Sequence, residues 1–162
     1  MPASTFRAGE VLDMAVWVER QGVDFYTACL KTELPERVKA VFQFLLDQET
    51  RHIQTFQSMG AELSDHPVPK SYAGEAESYL RSFVRNEVFS LPENAAGQIQ
   101  GVDDPFTAID FGLEFEHRSI HFYEEIQQIV PESERGAVER VIDQEHSHIR
   151  RLEELREELS PS

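Results

Sequence analysis

A chain of 162 residues and 18.6 kDa has room for one hydrophobic core, so a single domain over residues 1–162 is expected. Acidic residues outnumber basic ones 30 to 15, and the formal charge of -15 disfavours nucleic acid and anionic membranes as partners while favouring cations. Apolar residues at 40% argue against wholesale disorder, the lone Cys29 excludes an internal disulfide or a four-cysteine metal site, and no apolar run approaches the ~18 residues of a membrane span, so a cytoplasmic protein is expected.

In chain order, apolar residues recur at helical spacing over residues 10–31, at Leu12, Ala15, Val16, Val23, Tyr26 and Leu30. Pro35 suits the first position of a second helix, which carries Val38, Val41, Phe42, Leu45, Ile53 and Phe56, with Gly60 as a stop signal. Two prolines between residues 61 and 73 predict an extended connection, followed by a short helix over about residues 75–89 and a loop over residues 91–104. Asp104 and Pro105 form a cap and first-turn pair for a helix running to about Val130. Pro131 is expected to open the last helix, which ends near Leu159. No strand-like alternation persists, so the fold class is all-α.

The chain also repeats itself. A shift of 97 residues carries the first helix onto the one opened by Asp104, laying Glu19 on Glu116 and Phe25-Tyr26 on Phe122-Tyr123. A shift of 96 lays LDQETRHI (46–53) on IDQEHSHI (142–149). Two copies of a helical hairpin joined by a long crossover account for this. The polar residues in the repeat sit on apolar stripes, because residues three or four apart share a helix face. Glu19 lies between Val16 and Val23, and Glu116 between Leu113 and Ile120. Glu49 and His52 extend the stripe of Val38, Phe42 and Leu45; Glu145 and His148 extend that of Val138 and Val141.

Six ionisable side chains are thus aimed at a core whose stripes carry no Lys or Arg. A buried carboxylate without a partner costs several kcal/mol or titrates away. Two divalent cations, at +4, balance four carboxylates, at -4, with neutral histidines, so a dinuclear metal site is predicted. Since an unperturbed His titrates near ~6.5, metal affinity is expected to weaken as the pH falls through about 6. His117, His121 and His146 fall about 100–140° from the ligand faces, so each is expected either at the surface or beside the ligands without binding metal, and His66, in a proline-rich loop, is expected at the surface. Cys29 reads as a small core residue.

The pattern Glu19, Glu49-x-x-His52, Glu116 and Glu145-x-x-His148 resembles the ligand set of the ferritin-like di-iron carboxylate proteins. The repeated Glu-x6-Tyr of ERQGVDFY and EHRSIHFY, the crossover SYLRSFVRNEVF and the segment FGLEFEHRSIHFYEEI resemble the rubrerythrin-like branch. The resemblance implies a ferritin-like four-helix bundle with a short extra helix in the crossover, and two Fe ions per chain, with Mn or Zn also compatible. It implies Glu49 and Glu145 as bridging ligands and Glu19, Glu116, His52 and His148 as terminal ones. Tyr26 and Tyr123 are then expected to hydrogen-bond ligand carboxylates, and Gln48 and Gln144 to orient the imidazoles. Two departures stand out. Rubrerythrins proper carry a rubredoxin-like FeCys4 domain, whereas one Cys here implies a separate electron-donor protein. They also carry an extra carboxylate one turn after the third-helix Glu, where this chain has Ser119 and its repeat mate Gly22, expected to leave space beside the metals. The resemblance implies an oxidoreductase acting on peroxide, O2 or Fe(II), in oxidative stress or iron handling. A storage or buffering protein, or a bundle with purely structural metals, are the alternatives. Trp17, Phe44 and Phe111 lie off the ligand stripes, as do Phe83 and Phe89 of the crossover, and a homodimer is expected.

Overall fold

The computed structural model describes residues 8–63 and 104–161. Four α-helices follow in order: α1 (Ala8–Leu30), α2 (Glu36–Leu63), α3 (Pro105–Ile129) and α4 (Glu132–Leu159), with no strand among the described residues. The extended connection, short helix and loop expected over residues 61–104 fall almost wholly outside the described residues, as do His66, Phe83 and Phe89.

Local chemistry sets the helix ends. The Asp104 carboxylate accepts from the Phe106 N–H at 3.0 Å and from the Thr107 hydroxyl at 3.0 Å, and Pro105 occupies the first turn, where its missing N–H costs nothing. Pro35 and Pro131 each stand one residue before their helix rather than inside it. The Pro35 carbonyl accepts from Val38 and Lys39, and that of Pro131 from Glu134, so each proline begins the hydrogen-bond ladder as a flanking residue. Gly60 does not stop α2, which continues to Leu63. Burial of Met59 and packing of Leu63 on the core outweigh the ~1 kcal/mol that a helical glycine costs.

Within each repeat the two helices pack as a hairpin, α1 on α2 and α3 on α4; contacts of α2 with α4 and of α1 with α3 join the hairpins into one bundle. Its interior holds two apolar clusters. One gathers Leu12, Phe56, Ile126, Val130 and Val138 toward one end, and the other Leu34, Val38, Phe42, Ile109 and Leu155 toward the other. Arg37–Glu158 at 3.1 Å and Arg156–Asp110 at 2.8 Å tie α4 to α2 and α3 on the exterior, where such pairs contribute little. The polar residues of the repeat lie at mid-helix, between the two apolar clusters.

Candidate metal centre

Each helix brings its polar residues inward at the same level. Glu19 comes from α1, Glu49 and His52 from α2, Glu116 from α3, and Glu145 and His148 from α4, none more than 1% exposed. They form two overlapping groups, Glu19–Glu49–His52–Glu145 and Glu49–Glu116–Glu145–His148, and within each group one ligand atom per residue lies within 4.8 Å of the others. Glu49 and Glu145 belong to both. His52 Nδ1 stands 2.7 Å from Glu145 and 3.5 Å from Glu19; His148 Nδ1 stands 3.2 Å from Glu49 and 3.3 Å from Glu116. The two imidazoles stack with centroids 5.6 Å apart.

These six residues also contain every buried side-chain nitrogen or oxygen that lacks a hydrogen bond among the described residues, including both oxygens of Glu49 and of Glu145 and the Nδ1 atoms of both histidines. Buried polar groups are ordinarily paired, so a cluster of orphans facing one another needs a further partner. Acidic oxygens and imidazole nitrogens in this ratio are a donor set for divalent transition metals. The residues therefore fit a di-metal site.

The tyrosines cross the repeat. Tyr26 of α1 donates to Glu116 of α3 at 2.7 Å, and Tyr123 of α3 donates to Glu19 of α1. Each phenol thus holds one carboxylate oxygen and leaves the other buried without a hydrogen-bond partner. Burial pushes both phenols well above their usual pKa, with the nearby carboxylates adding to it, so they remain donors.

Without metal, protons supply the missing positive charge. Burial alone would depress the histidines, yet Glu19 and Glu145 push His52 up to about 11, and Glu116 and Glu145 push His148 up to about 10. Burial, then the charges of Glu116 and Glu19, raise Glu145 to about 8, and burial with its carboxylate neighbours raises Glu49 well above the usual range. Glu116 goes the other way: burial opposes its ionisation, but His148 and hydrogen bonds hold it down to about 2. The expectation of neutral histidines down to about pH 6 is therefore corrected. Protons on His52, His148 and Glu145 compete with metal through neutral pH and above, and Glu49 is pushed in the same direction.

Other expectations divide. His117, His121 and His146 are exposed and Cys29 is buried, as expected. Trp17 is 43% exposed, whereas Phe44 and Phe111 are half-buried, Phe44 under Arg151. The space expected at Gly22 is filled by the Phe115 ring. A Cβ there would stand 2.9 Å from Phe115 Cε1 and 3.2 Å from Glu49 Oε2. Ser119 turns its hydroxyl to the Phe115 carbonyl, 2.9 Å away on its own helix. Gly22→Ala should consequently lose stability in urea unfolding, by up to about 2 kcal/mol, because overpacking at ~1–3 kcal/mol is offset only in part by the ~1 kcal/mol gained in helix propensity. Adding Phe115→Leu should recover part of the loss; a stabilised Gly22→Ala would mean that the ring yields freely.

Of the two glutamines expected to orient the imidazoles, Gln144 does meet one. Gln144 meets His52 of the other hairpin, Oε1 to Nε2 at 2.6 Å. The repeat contains the residue, but only the packing of α4 beside α2 shows which imidazole it reaches.

The rubrerythrin family profile matches residues 10–156. This chain belongs to the rubrerythrin family. A solved structure of a protein described as ferritin-like and diiron-carboxylate, from Thermotoga maritima, superposes with a TM-score of 0.70 at 22% identity, covering 97% of this chain and 99% of that one. That likeness shows the ferritin-like fold. No curated protein matches the chain. Among the described residues, no helix is long and apolar enough to cross a membrane.

Proposed function

We propose that this rubrerythrin-family chain is a di-iron oxidoreductase acting on peroxide, O2 or Fe(II), working as a homodimer and supplied with electrons by a separate protein. The carrying observation is the convergence of six buried side chains, each with at least one polar atom that lacks a hydrogen bond, in two groups that share Glu49 and Glu145. Glu19 and His52 would hold one metal and Glu116 and His148 the other, with Glu49 and Glu145 available to both. A ferrous pair, when bound, supplies two electrons for cleavage of an O–O bond. Tyr26 and Tyr123 fix the terminal carboxylates and, as high-pKa phenols, keep their protons. The apolar clusters on either side keep bulk water from the centre.

Metal analysis of protein expressed in iron-rich medium should give two irons per chain. Anaerobic titration of the ferrous protein with peroxide should consume two Fe(II) per peroxide, without hydroxyl-radical release to a spin trap. One metal per chain would sink the dinuclear reading. One Fe(II) per peroxide, with radical trapped, would sink the two-electron reading. Turnover with an added reductant separates the enzyme from a storage protein, which would instead retain the oxidised iron. Sedimentation at micromolar concentration should show a dimer, and a monomer rejects that part of the proposal.

A further inference from the structure

The repeat makes the two halves of the centre nearly equivalent, but one contact breaks the equivalence. His52 Nε2 lies 2.6 Å from Gln144 Oε1, so the imidazole donates an N–H to a neutral amide oxygen, and Nδ1 faces Glu19 and Glu145. His148 Nδ1 faces the carboxylates in the same way, yet its buried Nε2 has no hydrogen-bond partner among the described residues. Gln48, the repeat mate of Gln144, is half-buried. What approaches His148 instead is the ring of Phe44, edge-on with centroids 6.4 Å apart, with the Arg151 guanidinium 4.0 Å above that ring. The mates of Phe44 and Arg151 under the 96-residue shift are Arg140 and Thr55, so this apolar cover is not repeated on the His52 side.

A hydrogen bond to the outer nitrogen of a ligating imidazole fixes its tautomer and ring orientation, and losing such a partner typically costs about 10–100-fold in metal affinity. One histidine has that support and the other does not. We propose that Gln144 is a positioning residue for His52 and makes the half-sites unequal, so that a divalent metal enters the Glu19–His52 half before the Glu116–His148 half. This rests on the dimetal reading above. The amide reaches the imidazole from an exposed position on α4, so replacing it removes the hydrogen bond without opening the core.

The test is a calorimetric titration of the metal-free full chain with Co(II), followed in parallel by visible absorption. The parent should take up two metals in two resolved steps. Gln144→Leu should weaken the first step about 10–100-fold and leave the second in place, closing the gap. Gln144→Glu keeps an acceptor and should keep the steps apart. Gln48→Leu should change neither. Long-range 1H–15N spectra of the metal-free protein give a readout independent of loading: the His52 Nε2 proton should exchange slowly in the parent and fast in Gln144→Leu, while that of His148 is the same in both. Two identical steps in the parent, equal weakening of both steps in Gln144→Leu, or an unchanged His52 proton would overturn the inference and leave the dimetal site standing. Failure of the parent to take up any Co(II) would overturn the dimetal reading itself, and the inference with it.

Discussion

Held free of metal, the protein should be most stable in mild acid and should lose stability steadily as the pH rises toward 10. The sign follows from which state holds more protons. His52 and His148 are pushed from the usual 6.5 up to about 11 and about 10, so the folded chain keeps protons that the unfolded chain releases. Their contribution is complete below about pH 6.5 and is lost as the pH rises through about 10 to 11. Glu145, raised from 4.5 to about 8, behaves likewise: its contribution is complete below pH 4.5 and lost through about 8. Glu49 moves in the same direction. Glu116 is the opposite case, held down to about 2, so its contribution is present above 4.5 and lost only as the pH falls through about 2. Each extra proton held by the folded state gives a slope of about 1.4 kcal/mol per pH unit. Metal reverses the dependence. Two bound cations need His52, His148, Glu49 and Glu145 deprotonated, so metal binding should release protons and tighten about tenfold per pH unit for each proton displaced. Thermal unfolding from pH 5 to 9, with chelator and with excess Zn(II), measures both arms. The midpoint should fall with pH in chelator, and the metal-induced increment should grow. A chelated protein that gains stability on going from pH 6 to 9 would show that the histidines are not held protonated by the carboxylates.

The same proton inventory marks the limit of what the chain discloses in one dimension. The buried cluster of six was legible because Asp-Gln-Glu-x-x-His recurs at a fixed shift and its Glu and His positions continue apolar stripes, a conflict between charge and burial visible in sequence alone. The Glu-x6-Tyr spacing also gave the phenols correctly, since two helical turns carry Tyr26 and Tyr123 along the face of Glu19 and Glu116. Protonation was not legible, because it depends on distances such as 2.7 Å between His52 and Glu145, set by helices far apart in the chain. The crossed contact of Gln144 with His52, and the Phe115 ring lying on Gly22, have the same origin. Both depend on which helix of the second hairpin faces which helix of the first. Gly60 misled for a simpler reason: a stop signal is a local preference of ~1 kcal/mol, and apolar contacts on both sides of it are worth more.

Glu49→Gln should separate metal binding from folding. In the metal-free protein Glu49 is pushed well above the usual carboxylate range by burial and by Glu116, Glu145 and Glu19, which favours its neutral form. An amide of the same shape replaces one neutral group by another and removes a source of repulsion. Metal-free stability should then change by no more than about 1 kcal/mol. The amide cannot bridge two cations as a carboxylate does, and both ligand groups lose a member, since Glu49 belongs to each. Uptake should fall at both half-sites, and with it the stabilisation from saturating metal, which at 100 to 1,000 times Kd is about 3–4 kcal/mol. Glu116→Gln gives the contrast. Glu116 is ionised, accepts from Tyr26 at 2.7 Å and stands 3.3 Å from His148 Nδ1, so its charge compensates the imidazolium. Removing that charge should destabilise the metal-free protein by more than Glu49→Gln does, because it leaves His148 with weaker compensation. It belongs to one ligand group only, so the Glu19–His52 half should still take up metal. Unfolding with and without Zn(II), together with metal counts per chain, decides between the patterns. If Glu49→Gln retains one tightly bound metal while Glu116→Gln retains none, the bridging assignment of Glu49 is wrong and the carboxylates exchange roles.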